Sequence, residues 1–262
     1  MAGLRFNSNY KLLEHTSMVK VKTQFYSTDE ESLFRKNKKR NGPNWEWHDK
    51  IIRYEFNSLG YRSKEPDQVK KFILGFGCSF TEGVGLNEQD IWLHKYSRKL
   101  GIEYLNFAKE ATGMDIQYYN TLLWKQNKLP LPELVVCQWP QKFRKSFGFT
   151  QDKDIILKDM SETPTKDGNW WGRRYIQDTG EMQMNALTWY LGMNNTWQSL
   201  GVPVLNFSWE PDICDQLAWT EFPCHHVDPR GVGSMQARDC AHDGEKFHNL
   251  TAKSLLKVTD KI

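Results

Sequence analysis

Apolar positions gather in four short runs, and helical spacing fills the stretches between them. Lys71-Phe72-Ile73-Leu74-Gly75-Phe76-Gly77, Ile102-Glu103-Tyr104-Leu105-Asn106-Phe107, Leu134-Val135-Val136-Cys137-Gln138-Trp139 and Val202-Pro203-Val204-Leu205-Asn206-Phe207 each read as a short buried strand. Ile91, Leu93, Tyr96 and Leu100, with Gly101 just beyond, predict an amphipathic helix over 87–100. Ile116, Tyr119, Leu122 and Leu123 predict a second. Two more are expected over 181–200, closed by Gly201, and over 244–257. Strands alternating with helices imply a parallel sheet covered on both faces, a three-layer α/β domain over 71–262.

The remaining segments lack such periodicity. Residues 1–70 are polar and irregular, with a basic run over 35–40 and a turn at Gly42-Pro43, and read as an N-terminal extension packing on the main domain. Residues 140–180 read as a loop-rich, aromatic insertion carrying Trp170, Trp171 and Tyr175. The stretch 208–238 is mixed in composition and holds Cys224-His225-His226.

Charge narrows the function classes. The 262 residues carry 35 basic and 32 acidic side chains, a net +3, which excludes a strongly electrostatic nucleic-acid binder. No run of 18 apolar residues predicts a membrane span. The start lacks the apolar core of a secretory signal, and five irregularly spaced cysteines read as free thiols. A cytoplasmic protein, or part of a larger particle, is the expectation. The 11 Trp, 10 Tyr and 14 Phe suit core filling, and also stacking on sugars.

In a parallel sheet, ligands bind outside the carboxyl ends of the strands. There the chain reads Gly77-Cys78-Ser79-Phe80-Thr81-Glu82-Gly83. A serine between strand end and helix start meets backbone N–H donors and the positive end of a helix, which favours acyl transfer. The same turn equally suits a phosphate. Ahead of the last helix, Asp239-Cys240-Ala241-His242 sets a carboxylate three residues before an imidazole. A serine needs such a base, and the base needs a carboxylate to fix its tautomer. A solvated Asp and His on a surface loop is the plainer alternative.

Together these segments resemble the SGNH (GDSL-type) hydrolases. Gly77–Gly83 is similar to the family's first block, Gly-Asp-Ser-x-x-x-Gly, and Asp239-x-x-His242 to its last, with His242–His248 following the His-Pro-Gly-x-x-x-His extension. Asn57-Ser58-Leu59-Gly60-Tyr61-Arg62 resembles the lead-in of some members. The resemblance implies a flavodoxin-like α/β/α sandwich, with Ser79 as nucleophile, His242 as base and Asp239 as its orienter. It implies an oxyanion hole from the Ser79 N–H, a glycine matched by Gly113, and an asparagine. This chain departs at two points: Cys78 replaces the aspartate beside the serine, and Gln138-Trp139-Pro140-Gln141 stands where Gly-x-Asn-Asp belongs. Gln138 and Gln141 are therefore the candidate third donors.

Trp139, Trp170, Trp171 and Trp209 are candidates for stacking on sugar rings, and His225 and His226 for lining the pocket. His248 reads as a helix residue packing or capping beside the site. No Cys-x-x-Cys or His-Glu-x-x-His pattern supports a metal, and no cofactor is implied. The expectation is a serine ester hydrolase acting through an acyl-enzyme on an O-acetyl carbohydrate or another short-acyl ester. The alternative is a catalytically weak or inactive binding or structural protein, a homo-oligomer or a component of an assembly held through residues 1–70. A phosphate or nucleotide binder is a third reading, without a Gly-x-x-x-x-Gly-Lys-Ser/Thr loop to support it.

Overall fold

Strands without a polar face cannot meet water on either side, so helices must cover both. The computed structural model describes residues 4–6, 20–140, 145–151, 154–160, 179–227, 229 and 236–259. Its N-terminal part holds β1 (Leu4–Phe6), β2 (Lys22–Thr23), α1 (Glu31–Asn41) and β3 (Tyr54–Glu55). Then come β4 (Phe72–Phe76), α2 (Ser79–Glu82), α3 (Trp92–Leu100), β5 (Glu103–Asn106), α4 (Met114–Gln126) and β6 (Leu134–Gln138). β7 (Lys145–Gln151) and β8 (Asp154–Met160) precede α5 (Thr179–Ser199) and β9 (Val204–Ser208). α6 (Pro211–Leu217), β10 (Cys224–His226) and α7 (Glu245–Thr259) complete the order.

The central sheet runs β5-β4-β6-β9-β10, every pair parallel. Counted from its first strand this is the order 2-1-3-4-5, the flavodoxin-like doubly wound arrangement. The four apolar runs form β4, β5, β6 and β9. β10 is a fifth strand that the pattern does not predict, because two half-buried residues and one exposed residue at a sheet edge need no apolar run.

Period-two alternation splits the core in two. Phe72, Leu74 and Phe76 point to one face with Trp124, Tyr190 and Trp197 from α4 and α5. Ile73 points to the other with Leu93, Tyr96 and Phe247 from α3 and α7. Gly75 lets α3 lie directly on the strand, since a Cβ there would come within 2.3 Å of Leu93 Cδ2.

Two segments hold regular structure that the hydrophobic pattern did not predict. Residues 20–56 carry α1 and the β2–β3 ribbon, and their Tyr26, Trp47, Tyr54 and Phe56 are buried in the second core cluster. The 140–180 segment is not simply loop. β7 and β8 form an antiparallel hairpin, and β1 pairs with β8. Phe147 and Phe149 at alternate positions, followed by the β-branched Ile155 and Ile156, carry the strand propensity. Gln141, Trp170, Trp171 and Tyr175 lie outside the described residues. Among the described residues no helix is long and apolar enough to cross a membrane.

Candidate active site

The chain leaves β4 through Gly77 and Cys78 and turns at once into α2, so Ser79 stands at the carboxyl edge of the sheet. Gly77 is required by space. A Cβ there would lie 2.3 Å from Thr81 Oγ1 and 2.7 Å from Thr81 Cβ. α2 is only four residues long, so its dipole is slight. What the turn supplies is the Ser79 N–H, which at the first helical position has no intrahelical acceptor.

The loop before α7 brings the partners. Ser79 Oγ lies 2.8 Å from His242 Nε2, and His242 Nδ1 lies 2.6 Å from Asp239 Oδ2. Asp239 Oδ1 accepts from the backbone N–H groups of Ala241 and His242 at 3.0 and 3.1 Å. Burial pushes the Asp239 carboxyl up, but hydrogen bonds from His242, Thr28 and Ala241 outweigh it and hold it below the usual carboxylate value. The Phe80 ring sits edge-on to His242, with centroids 4.9 Å apart.

A cleft of about 140 Å³ opens beside these groups, walled by Phe80, Trp209, Phe247, Gln138, Glu210 and Asp243 among others. Trp139 also lines it but is fully buried, with its indole N–H donating to Asn206 Oδ1. Trp209 is only 6% exposed. Neither indole offers an open face for a sugar ring. His225 and His226 sit in β10 and are not among the residues lining this cleft. The most exposed described tryptophan is Trp219, a residue the sequence reading did not single out.

Gln138 reaches the turn that carries Ser79. Its Oε1 accepts from the Cys78 N–H at 3.2 Å and lies 3.2 Å from Cys78 Sγ, which leaves its amide NH₂ as the only end able to donate to a substrate. Gly113 is the N-cap of α4, on a loop that Thr112 ties to Gly77 through a 3.3 Å hydrogen bond to its carbonyl. Behind this loop, Lys109 and Glu82 form a buried ion pair at 2.9 Å, and Glu82 also accepts from the Glu110 N–H. Burial and the Glu82 charge push the Glu110 carboxyl up to about 7. His248 is fully buried, and its Nδ1 accepts from the Trp92 N–H at the start of α3. Burial pushes its imidazole down to about 3, so it acts as a neutral helix cap.

Several contributors have no local sequence signal. Arg238 is buried and binds Asp29 at both ends of its guanidinium, Nε to Oδ1 at 2.9 Å and Nη2 to Oδ2 at 2.7 Å. The adjacent rings of Phe25 and Phe34 both pack against the same guanidinium. Tyr54 donates to Asp29 and accepts from the Gly85 N–H, joining this cluster to the segment after α2. Among the described residues no group of three His, Cys, Asp or Glu side chains could hold a metal ion.

No family model matches the chain, and no curated protein matches it. Solved structures similar to it include a member of the lipolytic G-D-S-L family from Veillonella parvula. That match covers 73% of this chain and 100% of that one, at 12% identity and a TM-score of 0.46. A carbohydrate esterase whose active site displays divergent catalytic and non-catalytic binding functions matches over 74% and 66%, at 12% identity and a TM-score of 0.49. An acetyl xylan esterase from the rumen bacterium Butyrivibrio proteoclasticus matches over 74% and 64%, at 13% identity and a TM-score of 0.44. At these identities no residue's role carries across.

Proposed function

We propose that the protein is a serine ester hydrolase that works through an acyl-enzyme. One observation carries the reading: the continuous chain of short contacts from Ser79 Oγ through both ring nitrogens of His242 to Asp239 Oδ2. His242 Nε2 accepts the Ser79 proton as Oγ attacks the ester carbonyl. Asp239 holds the ring in the tautomer that leaves Nε2 free to accept, and steadies the imidazolium that forms. The Ser79 and Gly113 N–H groups, with the Gln138 amide, are the donors assigned to the oxyanion. His242 then returns the proton to the departing alcohol, and water releases the acid by the same steps.

The substrate assigned is a short-acyl ester, with an O-acetyl group on a carbohydrate as the leading case. The cleft of about 140 Å³ is well under the roughly 300–1,000 Å³ of pockets that take drug-sized ligands. Its aromatic walls suit a small acyl group, and the Glu210 and Asp243 carboxylates at the same cleft suit hydroxyl donors.

The test is hydrolysis of chromogenic esters of increasing acyl length by the wild type and by Ser79→Ala. Acetate is expected to turn over fastest, and the variant to lose roughly 10⁴–10⁶-fold in kcat. A wild type no faster than Ser79→Ala on every ester would falsify the reading.

A further inference from the structure

We propose that Thr28 is a positioning residue for the Asp239–His242 pair, which makes the N-terminal arm part of the active site; this rests on the ester-hydrolase reading above. Asp239 Oδ2 accepts two hydrogen bonds, from His242 Nδ1 at 2.6 Å and from Thr28 Oγ1 at 2.6 Å. With the two backbone N–H groups on Oδ1, all four acceptor directions of the carboxylate are taken. Its plane is therefore fixed, and with it the direction in which His242 presents Nε2 to Ser79. At 2.6 Å the hydroxyl contact has the length of a charge-assisted bond.

The geometry that delivers Thr28 is specific. Tyr26 and Asp29 exchange backbone hydrogen bonds at 3.1 and 3.0 Å, which closes a two-residue turn over Ser27 and Thr28. Ser27 has φ 58°, a left-handed value that few residues other than glycine adopt. Asp29, the next residue, grips Arg238, the residue before Asp239. Thus the consecutive pair 28–29 engages the consecutive pair 238–239. Asn37 of α1 adds a 3.4 Å bond to the Asp239 carbonyl. Asp29 and Asn37 hold the neighbouring guanidinium and backbone; Thr28 is the arm's contact with the carboxylate itself.

Thr28 is exposed on its outer side, so substitution there does not open the core. Thr28→Val keeps the cover over Asp239 and removes only the donor, whereas Thr28→Ser keeps the donor. Both variants, wild type and Ser79→Ala are assayed on a chromogenic acetate ester. In parallel, proton NMR follows the His242 Nδ1 proton, which needs no turnover. Thr28→Val is expected to lose about tenfold in kcat with KM unchanged, the scale of one charge-assisted hydrogen bond. Its Nδ1 proton line broadens through faster exchange with water, and Thr28→Ser restores both readouts. An unchanged line and kcat in Thr28→Val overturn the proposal, as does a Thr28→Ser variant as impaired as Thr28→Val. If the wild type matches Ser79→Ala, the hydrolase reading fails, and the NMR line alone still decides whether Thr28 positions the pair.

Discussion

Ser79 stands at the end of a strand that is hydrogen-bonded on both sides, β4 between β5 and β6. Among the described residues, the loop carrying Asp239 and His242 belongs to no strand ladder; its backbone is held by the isolated bridge between Gln236 and Asp243 and by a bond from the Arg238 N–H to the Gly85 carbonyl. Its side-chain anchors come from the arm: Thr28, Asp29, Asn37 and Trp47, which lie 189 to 211 residues earlier than the groups they bind. One half of the site is thus located by many repeated backbone bonds, the other by a few buried polar contacts. The first should yield gradually to damage. The second should fail abruptly, because breaking a buried charge pair leaves its partner uncompensated.

The largest effect is expected at Asp29. Asp29→Ala strands the Arg238 guanidinium in a buried site and should lower unfolding free energy by about 3–5 kcal/mol, read from urea denaturation. A loss below about 1 kcal/mol would show that the Asp239–His242 loop does not lean on the arm. A smaller effect, of the opposite character, is expected at Gly77. The added methyl of Gly77→Ala meets Thr81 inside the turn. About 1–3 kcal/mol of strain should appear. On the proposed ester-hydrolase reading, displacing the Ser79 turn by a fraction of an ångström should lower kcat by up to about 10²-fold. Equal losses of stability and no selective loss of kcat would erase the contrast between the halves.

The smallest effect at neutral pH concerns His248, which joins α7 to α3 beneath the loop. Its folded imidazole lies at about 3, below the ordinary 6.5. As pH falls below 6.5 the unfolded chain takes up a proton that the folded chain refuses, so stability is full above 6.5 and declines toward pH 3. The slope is at most about 1.4 kcal/mol per pH unit. Glu110 acts in the opposite sense: its folded carboxyl at about 7 lies above the ordinary 4.5, so its contribution fades as pH rises between those values. Comparing wild type with His248→Gln, which keeps an acceptor but cannot titrate, isolates the histidine. The stability of the wild type relative to the variant should fall as pH drops from 6.5 to 4. A constant difference would place the proton uptake elsewhere.

The same contrast explains what the sequence could disclose. β4 and β6 are legible because each is buried along its whole length and so reads as a nearly continuous apolar run, while β5 and β9 keep enough buried apolar positions to be seen. Ser79, Asp239 and His242 are legible because a short motif at a strand end and another before a helix keep fixed spacings. β10 is not legible, since Cys-His-His at an edge carries no run. The 145–160 hairpin left a signal in Phe147 and Phe149 that the surrounding polar residues obscured. The arm is the deepest omission. Tyr26, Trp47 and Tyr54 follow no regular period, and the value of Asp29 depends on a guanidinium 209 residues away. No local pattern encodes that pairing.

The Asp29–Arg238 contact also has a schedule. During synthesis Asp29 emerges 209 residues ahead of its partner. At roughly 5–20 residues per second that is a wait of about 10–40 s. Through that interval the arm carries an acidic group with no cation to meet it, while β4, β5 and β6 can already pair. The sheet half of the candidate site can therefore form on the nascent chain, while the contacts of Asp239 and His242 wait for the loop that carries them.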